Sequence, residues 1–168
     1  ITEQDVLTRC AQIHQEFPGF RLRRKSGSGR CGPTIGAWFF ISSAWGAYTP
    51  YRRYEILRHE VVHMRQQQRW GLGNVWLGVL PFLVAYLLLP LPVGGAWCRY
   101  ALEREAFAES MRVVAAEQGM AVLWGKHMQY VRLFTGRAYW WCWPWRWNVS
   151  HWVTRTMTCI EQEQADGV

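Results

Sequence analysis

Two histidines and a glutamate within one short stretch carry the clearest chemistry in this sequence. His59 and His63 are four residues apart, and Glu60 directly follows the first of them. Residues four apart lie above one another on one face of an α-helix, so both imidazoles can reach a single metal ion. The carboxylate of Glu60 then lies near that ion, where it can act as a general base towards water. The spacing therefore predicts a metal site on a helix, with the chemistry of hydrolysis.

A third metal ligand has to come from elsewhere in the chain, because a catalytic zinc site usually takes three protein ligands and keeps one position open. No third histidine follows His63 at the spacing of the metzincin class. A later helical segment carries three carboxylates, Glu103, Glu105 and Glu109. Only one of Glu103 and Glu105 can face a metal ion, because residues two apart do not share a helix face. The residues by themselves leave that choice open.

Three short motifs together resemble those of the small gluzincin-like bacterial zinc metallopeptidase domains. They are a T-x-G pattern at 34–36, an H-E-x-x-H-x-x-Q pattern at 59–66 and an E-x-E-A pattern at 103–106. The resemblance covers residues 34–110, roughly half of the chain. It implies Zn²⁺ as the cofactor, a peptide or protein as the substrate, and hydrolysis of a peptide bond with Glu60 as the general base.

The same resemblance assigns roles on the later helix. Glu103 corresponds to the metal-binding glutamate of that family. Phe107 stands where many of its members have an aspartate that orients a zinc-ligating histidine, so this chain departs from the pattern there. Because of that departure, Glu105 stays the alternative ligand. In that case Glu109, four residues later, would be the outer acid that does not bind the metal itself.

These residues need elements that hold them in place, and the sequence favours an α+β fold that is mostly helical, with a zincin-like active-site helix and a small flanking β-sheet or hairpin. A strand is predicted at 34–42, where β-branched and aromatic residues lie between Gly-Pro and Ser-Ser. The active-site helix is predicted from about 51 to 70, with Thr49 as its cap and Pro50 in its first turn. Further helices are predicted at 2–17, 99–118 and 120–134, with Thr2 capping the first, and a polar end is expected to fray from residue 161 onward.

The length of 168 residues favours a single metallopeptidase-like domain, residues 1–168. Residues 71–98 contain no charged side chain, but their uninterrupted apolar run, 75–89, would reach only about 22 Å as a helix, against a bilayer core of about 30 Å. Prolines interrupt the segment as well. It is predicted to be an apolar hairpin or a membrane-facing insertion. A single crossing would put His63 and Glu103 on opposite sides, where they could not share a metal ion.

Composition bears on the partners of the chain. The formal net charge is +7, and six of the twelve tryptophans lie in a Trp-rich C-terminal segment, residues 139–152. That segment is expected either to cap the core or to form an interfacial belt whose arginines meet an anionic membrane surface. The basic residues at 21–25 are interpreted as a solvated face before a flexible loop. A protein partner is also possible, whereas nucleic-acid binding is disfavoured because no nucleic-acid-binding motif accompanies the aromatic residues.

Two further expectations concern processing and location. The five cysteines include no C-x-x-C pair, which argues against a cysteine zinc site or a disulfide framework. The chain begins with Ile rather than Met, so residues are expected to precede it. A bacterial-type cytoplasmic or membrane-associated location is favoured.

Two other functions compete with the peptidase interpretation. The first is a non-catalytic module that binds a metal ion without turnover, and the second is a membrane-associated structural or interaction subunit whose H-E-x-x-H motif is accidental. Candidate groups that could stabilise an oxyanion near the metal are Tyr130, Tyr139, His127 and His151, although a structural role is more typical of each.

Overall fold

The computed structural model describes residues 1–25, 32–88, 96–137 and 142–167. The fold is α+β and mostly helical, with seven α-helices and a three-stranded sheet in the described ranges, as the sequence predicts. Contacts along the chain divide it into two compact units, residues 1–82 and 83–168. The first unit contains the sheet and the helix with the two histidines, and the second is built from helices.

The first unit begins with helix α1, Glu3–Glu16. The predicted cap is confirmed: the Thr2 hydroxyl accepts a hydrogen bond from the backbone N–H of Asp5, and the Asp5 carboxylate accepts one from the Thr2 backbone N–H. This reciprocal pair satisfies two donors that the first turn would otherwise expose. Val6 and Ile13 of the helix are buried in the core of the unit.

A small mixed sheet follows, with strands β1 (Arg21–Arg24), β2 (Thr34–Ile35) and β3 (Trp38–Ile41). Their order is β1-β3-β2, with β1 parallel and β2 antiparallel to β3. The predicted solvated face at 21–25 is confirmed, because these side chains are exposed, but sequence analysis missed the strand that carries the first four of them. The loop predicted after it lies outside the described residues.

The prediction of one strand at 34–42 is wrong, because the segment folds back on itself as a hairpin. Ile35 pairs with Trp38, so Gly36 and Ala37 form a two-residue turn. Gly36 has a φ of +57°, which glycine adopts at little cost. A Cβ at this position would also come within 2.3 Å of the Trp76 ring. The hairpin therefore requires glycine for both backbone conformation and space.

Helix α2, Pro50–Trp70, follows a 3-10 turn at Ser43–Ala47 and confirms the helix predicted from about 51 to 70. The predicted cap and first turn are also present, since the backbone N–H of Arg52 donates to the Thr49 hydroxyl at 3.2 Å and Pro50 is the first helical residue. The helix ends at Gly71. One of its faces packs into the core of the first unit, to which it contributes Leu57, Val61 and Met64.

The apolar segment predicted as a hairpin or membrane-facing insertion contains a short helix, α3, at Val79–Leu88. Residues 89–95 lie outside the described ranges. Within those ranges, no helix combines the length and the hydropathy that crossing a membrane requires.

The second unit consists mainly of α4 (Trp97–Gln118), α5 (Met120–Gly125), α6 (His127–Thr135) and α7 (Arg146–Ala165). The predicted helix at 99–118 is confirmed as α4. The prediction of one helix at 120–134 is wrong, because it is interrupted at Lys126, directly after Gly125. Glycine weakens a helix interior, which explains the position of the break.

The C-terminal end does not fray from residue 161, as the sequence suggested, because α7 continues to Ala165. Ile160 of α7 is buried, and Glu163 accepts two hydrogen bonds of 3.0 Å from the Arg112 guanidinium of α4. The core of this unit includes the fully buried Tyr100 and Phe134. Tertiary contacts thus hold a helix end whose sequence is polar.

Candidate metal centre

Helix α2 places both histidines of the motif on one face. The ring centroids of His59 and His63 are 5.1 Å apart, with the ring planes at 76°. His59 is half-buried, whereas His63 is 7% exposed. This separation follows from their four-residue spacing on the helix. The two imidazoles therefore have the neighbouring positions that binding one ion requires.

His63 is oriented by a residue on its own helix. Its Nδ1 lies 2.9 Å from Oε1 of Gln66, whose side chain is fully buried. An amide oxygen only accepts hydrogen bonds, so in this contact Nδ1 carries the hydrogen and the lone pair of Nε2 is available to a metal. Metal-ligating histidines typically donate their other ring N–H in this way. The glutamine of the H-E-x-x-H-x-x-Q pattern thus has a physical role in this chain.

The carboxylate of Glu60 is held by the hairpin. The Thr34 hydroxyl donates a hydrogen bond to Glu60 Oε2, with 2.5 Å between the oxygens. Glu60 is half-buried, so this bond fixes one oxygen of a carboxylate that remains accessible. The threonine of the T-x-G pattern therefore orients the residue that the sequence assigns as general base.

Gln67 attaches the same hairpin to α2 and was not singled out by sequence analysis. Its Oε1 accepts the backbone N–H of Gly36 at 2.8 Å, and its Nε2 donates to the backbone carbonyl of Thr34 at 3.1 Å. The side chain is 1% exposed. A signal was present in the sequence, because Gln67 lies four residues after His63 and thus on the same helix face.

The two carboxylates that compete for the role of third ligand differ in burial on α4. Glu103 is 2% exposed, whereas Glu105 is exposed to solvent. The hydroxyl of Tyr86 on α3 donates a short hydrogen bond to Oε1 of Glu103. Buried carboxylates occur where donors or cations surround them, so Glu103 has the environment of a functional or paired group. Sequence analysis missed Tyr86, the only tyrosine in the uncharged segment 71–98.

Further polar groups surround Glu103 in the second unit. Arg99 is 3% exposed, and its Nε donates to the backbone carbonyl of Tyr86 at 2.9 Å. Burial, together with the negative charge of Glu103, raises the pKa of the Cys142 thiol to about 12. The Glu103 carboxylate thus has an arginine, a tyrosine and a neutral thiol in its surroundings.

His59, His63 and Glu103 form a group whose ligand atoms, one from each residue, all lie within 4.8 Å of one another. Ligands at about 2.0–2.1 Å from a tetrahedral zinc ion are roughly 3.3 Å apart, which lies within that limit. Two imidazoles and a carboxylate are a donor set that suits Zn²⁺ and also accepts other first-row ions. The residue types and their separation therefore fit a metal ion.

The other acids of α4 have different surroundings. Glu109 is half-buried and lies 3.9 Å from the Arg112 guanidinium. Phe107, at the position where the resembling family has an aspartate, packs edge-to-face against the rings of Tyr130 and Phe134. Its neighbours are therefore aromatic, and Gln66 supplies the hydrogen bond to a histidine that such an aspartate would make.

Two of the four candidate oxyanion stabilisers contact other side chains of the second unit. Tyr130 is 5% exposed and packs against Phe107, while Nε2 of His127 lies 3.1 Å from the Thr154 hydroxyl. His151 is exposed on α7. Tyr139 lies outside the described residues.

The described part of the Trp-rich segment divides between core and surface. Trp143 stacks on Tyr100 at 5.0 Å, and Trp152 is 8% exposed, as expected for a cap over a core. Trp145 and Trp147 are 47% and 72% exposed, as expected for an interfacial or binding surface. The described part of the segment thus contributes indoles both to the core and to the surface.

Comparison of this chain with protein-family models, with curated proteins and with solved structures found no match.

Proposed function

We propose that this chain is a zinc-dependent peptidase whose metal ion is held by His59, His63 and Glu103. The observation that carries the proposal is that these three residues offer ligand atoms within 4.8 Å of one another. The burial of Glu103 favours it over the exposed Glu105 as the third ligand. A bound zinc ion would supply a Lewis acid that polarises the scissile carbonyl of a peptide.

The residues around the ligands have complementary tasks in this proposal. Glu60 removes a proton from the attacking water and passes it to the leaving amine as the C–N bond breaks. The hydrogen bond from Thr34 holds one oxygen of that carboxylate, and it thereby fixes the direction of the other oxygen. Gln66 keeps the lone pair of His63 on Nε2. Tyr86 restricts the rotation of the Glu103 carboxylate.

A second candidate function is metal binding without turnover. The observation that favours it is the aromatic packing of Phe107 against Tyr130 and Phe134, which departs from the pattern of the resembling peptidases. Such a protein would hold the ion through the same three ligands and cleave no peptide. The two functions therefore differ in turnover and agree in metal content.

The test is elemental analysis of the purified chain, combined with cleavage of an unfolded protein such as casein. We expect about one zinc ion per chain, as a single three-ligand site requires. His63→Ala and Glu103→Gln should lose the ion, and the matched control Glu105→Gln should keep it. Glu60→Gln should keep the ion and lose cleavage.

Each result separates the alternatives. A wild-type chain that binds no zinc after exposure to the metal would refute the site itself. Stoichiometric zinc with no cleavage of any unfolded protein would support the non-catalytic function instead. Loss of zinc in Glu105→Gln, with retention in Glu103→Gln, would overturn the assignment of the third ligand.

A further inference from the structure

A turn directly after α2 exposes large apolar side chains to solvent. Leu72, Trp76, Leu77 and Leu80 are 98%, 43%, 69% and 71% exposed, and we call these four residues the apolar turn. All four belong to the first unit. Isolated exposed leucines are normal on protein surfaces, but four large exposed apolar residues within nine positions are a concentration that is typical of an interaction surface.

The apolar turn has a defined conformation. Asn74 Oδ1 accepts the backbone N–H of Trp76 at 2.9 Å and that of Leu77 at 3.4 Å. Val75, between Asn74 and Trp76, is buried in the core of the first unit and anchors the turn there. The exposed leucines are therefore presented by a built structure, which lowers the entropy that a partner must overcome.

Two features of Leu72 carry an energetic cost. Its side chain is 98% exposed, and its φ of 53° places it in the left-handed region, which leucine rarely adopts. A glycine or asparagine would satisfy this backbone without exposing an apolar chain. Contact with an apolar medium would compensate the exposure, which indicates that the turn has a partner.

The charges that flank the apolar turn in the sequence point to the chemistry of that partner. No aspartate or glutamate occurs anywhere from Val61 to Leu102, and the exposed Arg69 lies in the last turn of α2, next to the turn. The chain as a whole carries a formal charge of +7. Leucines with an adjacent tryptophan and an arginine, and without carboxylates, are the composition that enters the interface of an anionic bilayer.

We propose that the apolar turn inserts into the headgroup and upper acyl region of a membrane that contains anionic lipid. Leu72 and Leu77 enter the apolar region, and the indole of Trp76 lies at the headgroup level. Arg69 contacts lipid phosphate. The insertion is monotopic and independent of the metal chemistry, so it holds whether or not the chain cleaves peptides.

The experiment is flotation of the full chain with vesicles of phosphatidylcholine alone and of equimolar phosphatidylcholine and phosphatidylglycerol. We expect the chain to float with the anionic vesicles, and Leu72→Asp or Leu77→Asp to weaken partitioning by about tenfold each, as the loss of one buried leucine predicts. Leu7→Asp is the matched control, because Leu7 is 56% exposed on α1 of the same unit. It should bind like the wild type.

Depth is measured by fluorescence quenching with lipids brominated in the acyl chain. Quenching in the wild type should fall in Trp76→Phe, while flotation persists. The proposal is overturned if the chain does not float, if neutral and anionic vesicles bind equally, or if Leu7→Asp weakens binding as much as Leu72→Asp. A dimer in solution that Leu72→Asp dissociates, without vesicle binding, would overturn it in favour of a second copy of the chain. Circular dichroism of each variant verifies that it is folded.

Discussion

At the proposed zinc site, replacing Gln66 by Met should weaken metal binding without replacing any ligand. The side chain of Gln66 is fully buried, and its Oε1 lies 2.9 Å from His63 Nδ1. Met has a similar length but offers no comparable acceptor, so Nδ1 of His63 loses the partner that fixes its hydrogen. The imidazole can then adopt the other tautomer or rotate, and part of the binding free energy is spent on restoring its orientation.

The expected magnitude follows from the role of this contact. Loss of an outer hydrogen bond to a ligating histidine typically lowers metal affinity by about 10–100-fold, which corresponds to about 1.4–2.8 kcal/mol. Competition with a fluorescent zinc chelator of known affinity measures this difference directly. Elemental analysis would be too insensitive, because a weakened site still fills at high zinc concentration.

Gln67→Met is the matched control, because it removes the neighbouring buried amide. Gln67 bonds to the backbone of Gly36 and Thr34 rather than to a histidine. We expect a lower free energy of unfolding, by about 1–3 kcal/mol for each backbone group left unpaired, with nearly unchanged zinc affinity. If Gln66→Met is folded and binds zinc as tightly as the wild type, the reasoning about the His63 tautomer is refuted. The same holds if both variants lose affinity equally.

Two further predictions rest on the second unit. Cys142 is fully buried, and burial raises its pKa to about 12. In the native chain, a thiol reagent at neutral pH should therefore modify the exposed Cys159 and leave Cys142 unmodified until denaturant is added. Peptide mass spectrometry measures this difference, and early modification of Cys142 would contradict its burial. The hydrogen bond from Arg112 lowers the pKa of Glu163 in the folded chain. This pair therefore stabilises the fold above the pKa of an unfolded glutamate, and the stabilisation is lost as the pH falls through the lower pKa of the folded state. Arg112→Gln should raise the pKa of Glu163 in an NMR titration, and an unchanged titration would show that the pair does not form in solution.

Local rules account for the parts of the fold that the sequence predicts well. The caps at Thr2 and Thr49 and the helix end at Gly71 depend on residues within four positions of each other. The histidine pair depends on helical periodicity alone. These features need no knowledge of the rest of the chain.

The failures of prediction have physical causes of two kinds. The hairpin at Gly36 was missed because a single glycine inside an apolar run was interpreted as part of a strand, although isolated glycines in such runs often mark a turn or bend. The end of α7 was expected to fray because its sequence is polar, but Glu163 meets Arg112, 51 residues earlier in the chain. A contact of that separation leaves no trace in a local pattern.

The sequence by itself determined that His59, Glu60 and His63 share a helix, and it predicted a third ligand on a later helix. Only the tertiary structure decided that Thr34 holds Glu60 and that Glu103 is buried while Glu105 is exposed. The physical reason is that a helix repeats every 3.6 residues whatever surrounds it, so spacing fixes neighbours along one helix. Burial and the choice of hydrogen-bond partner depend on which elements pack against that helix, and packing is decided by the whole chain.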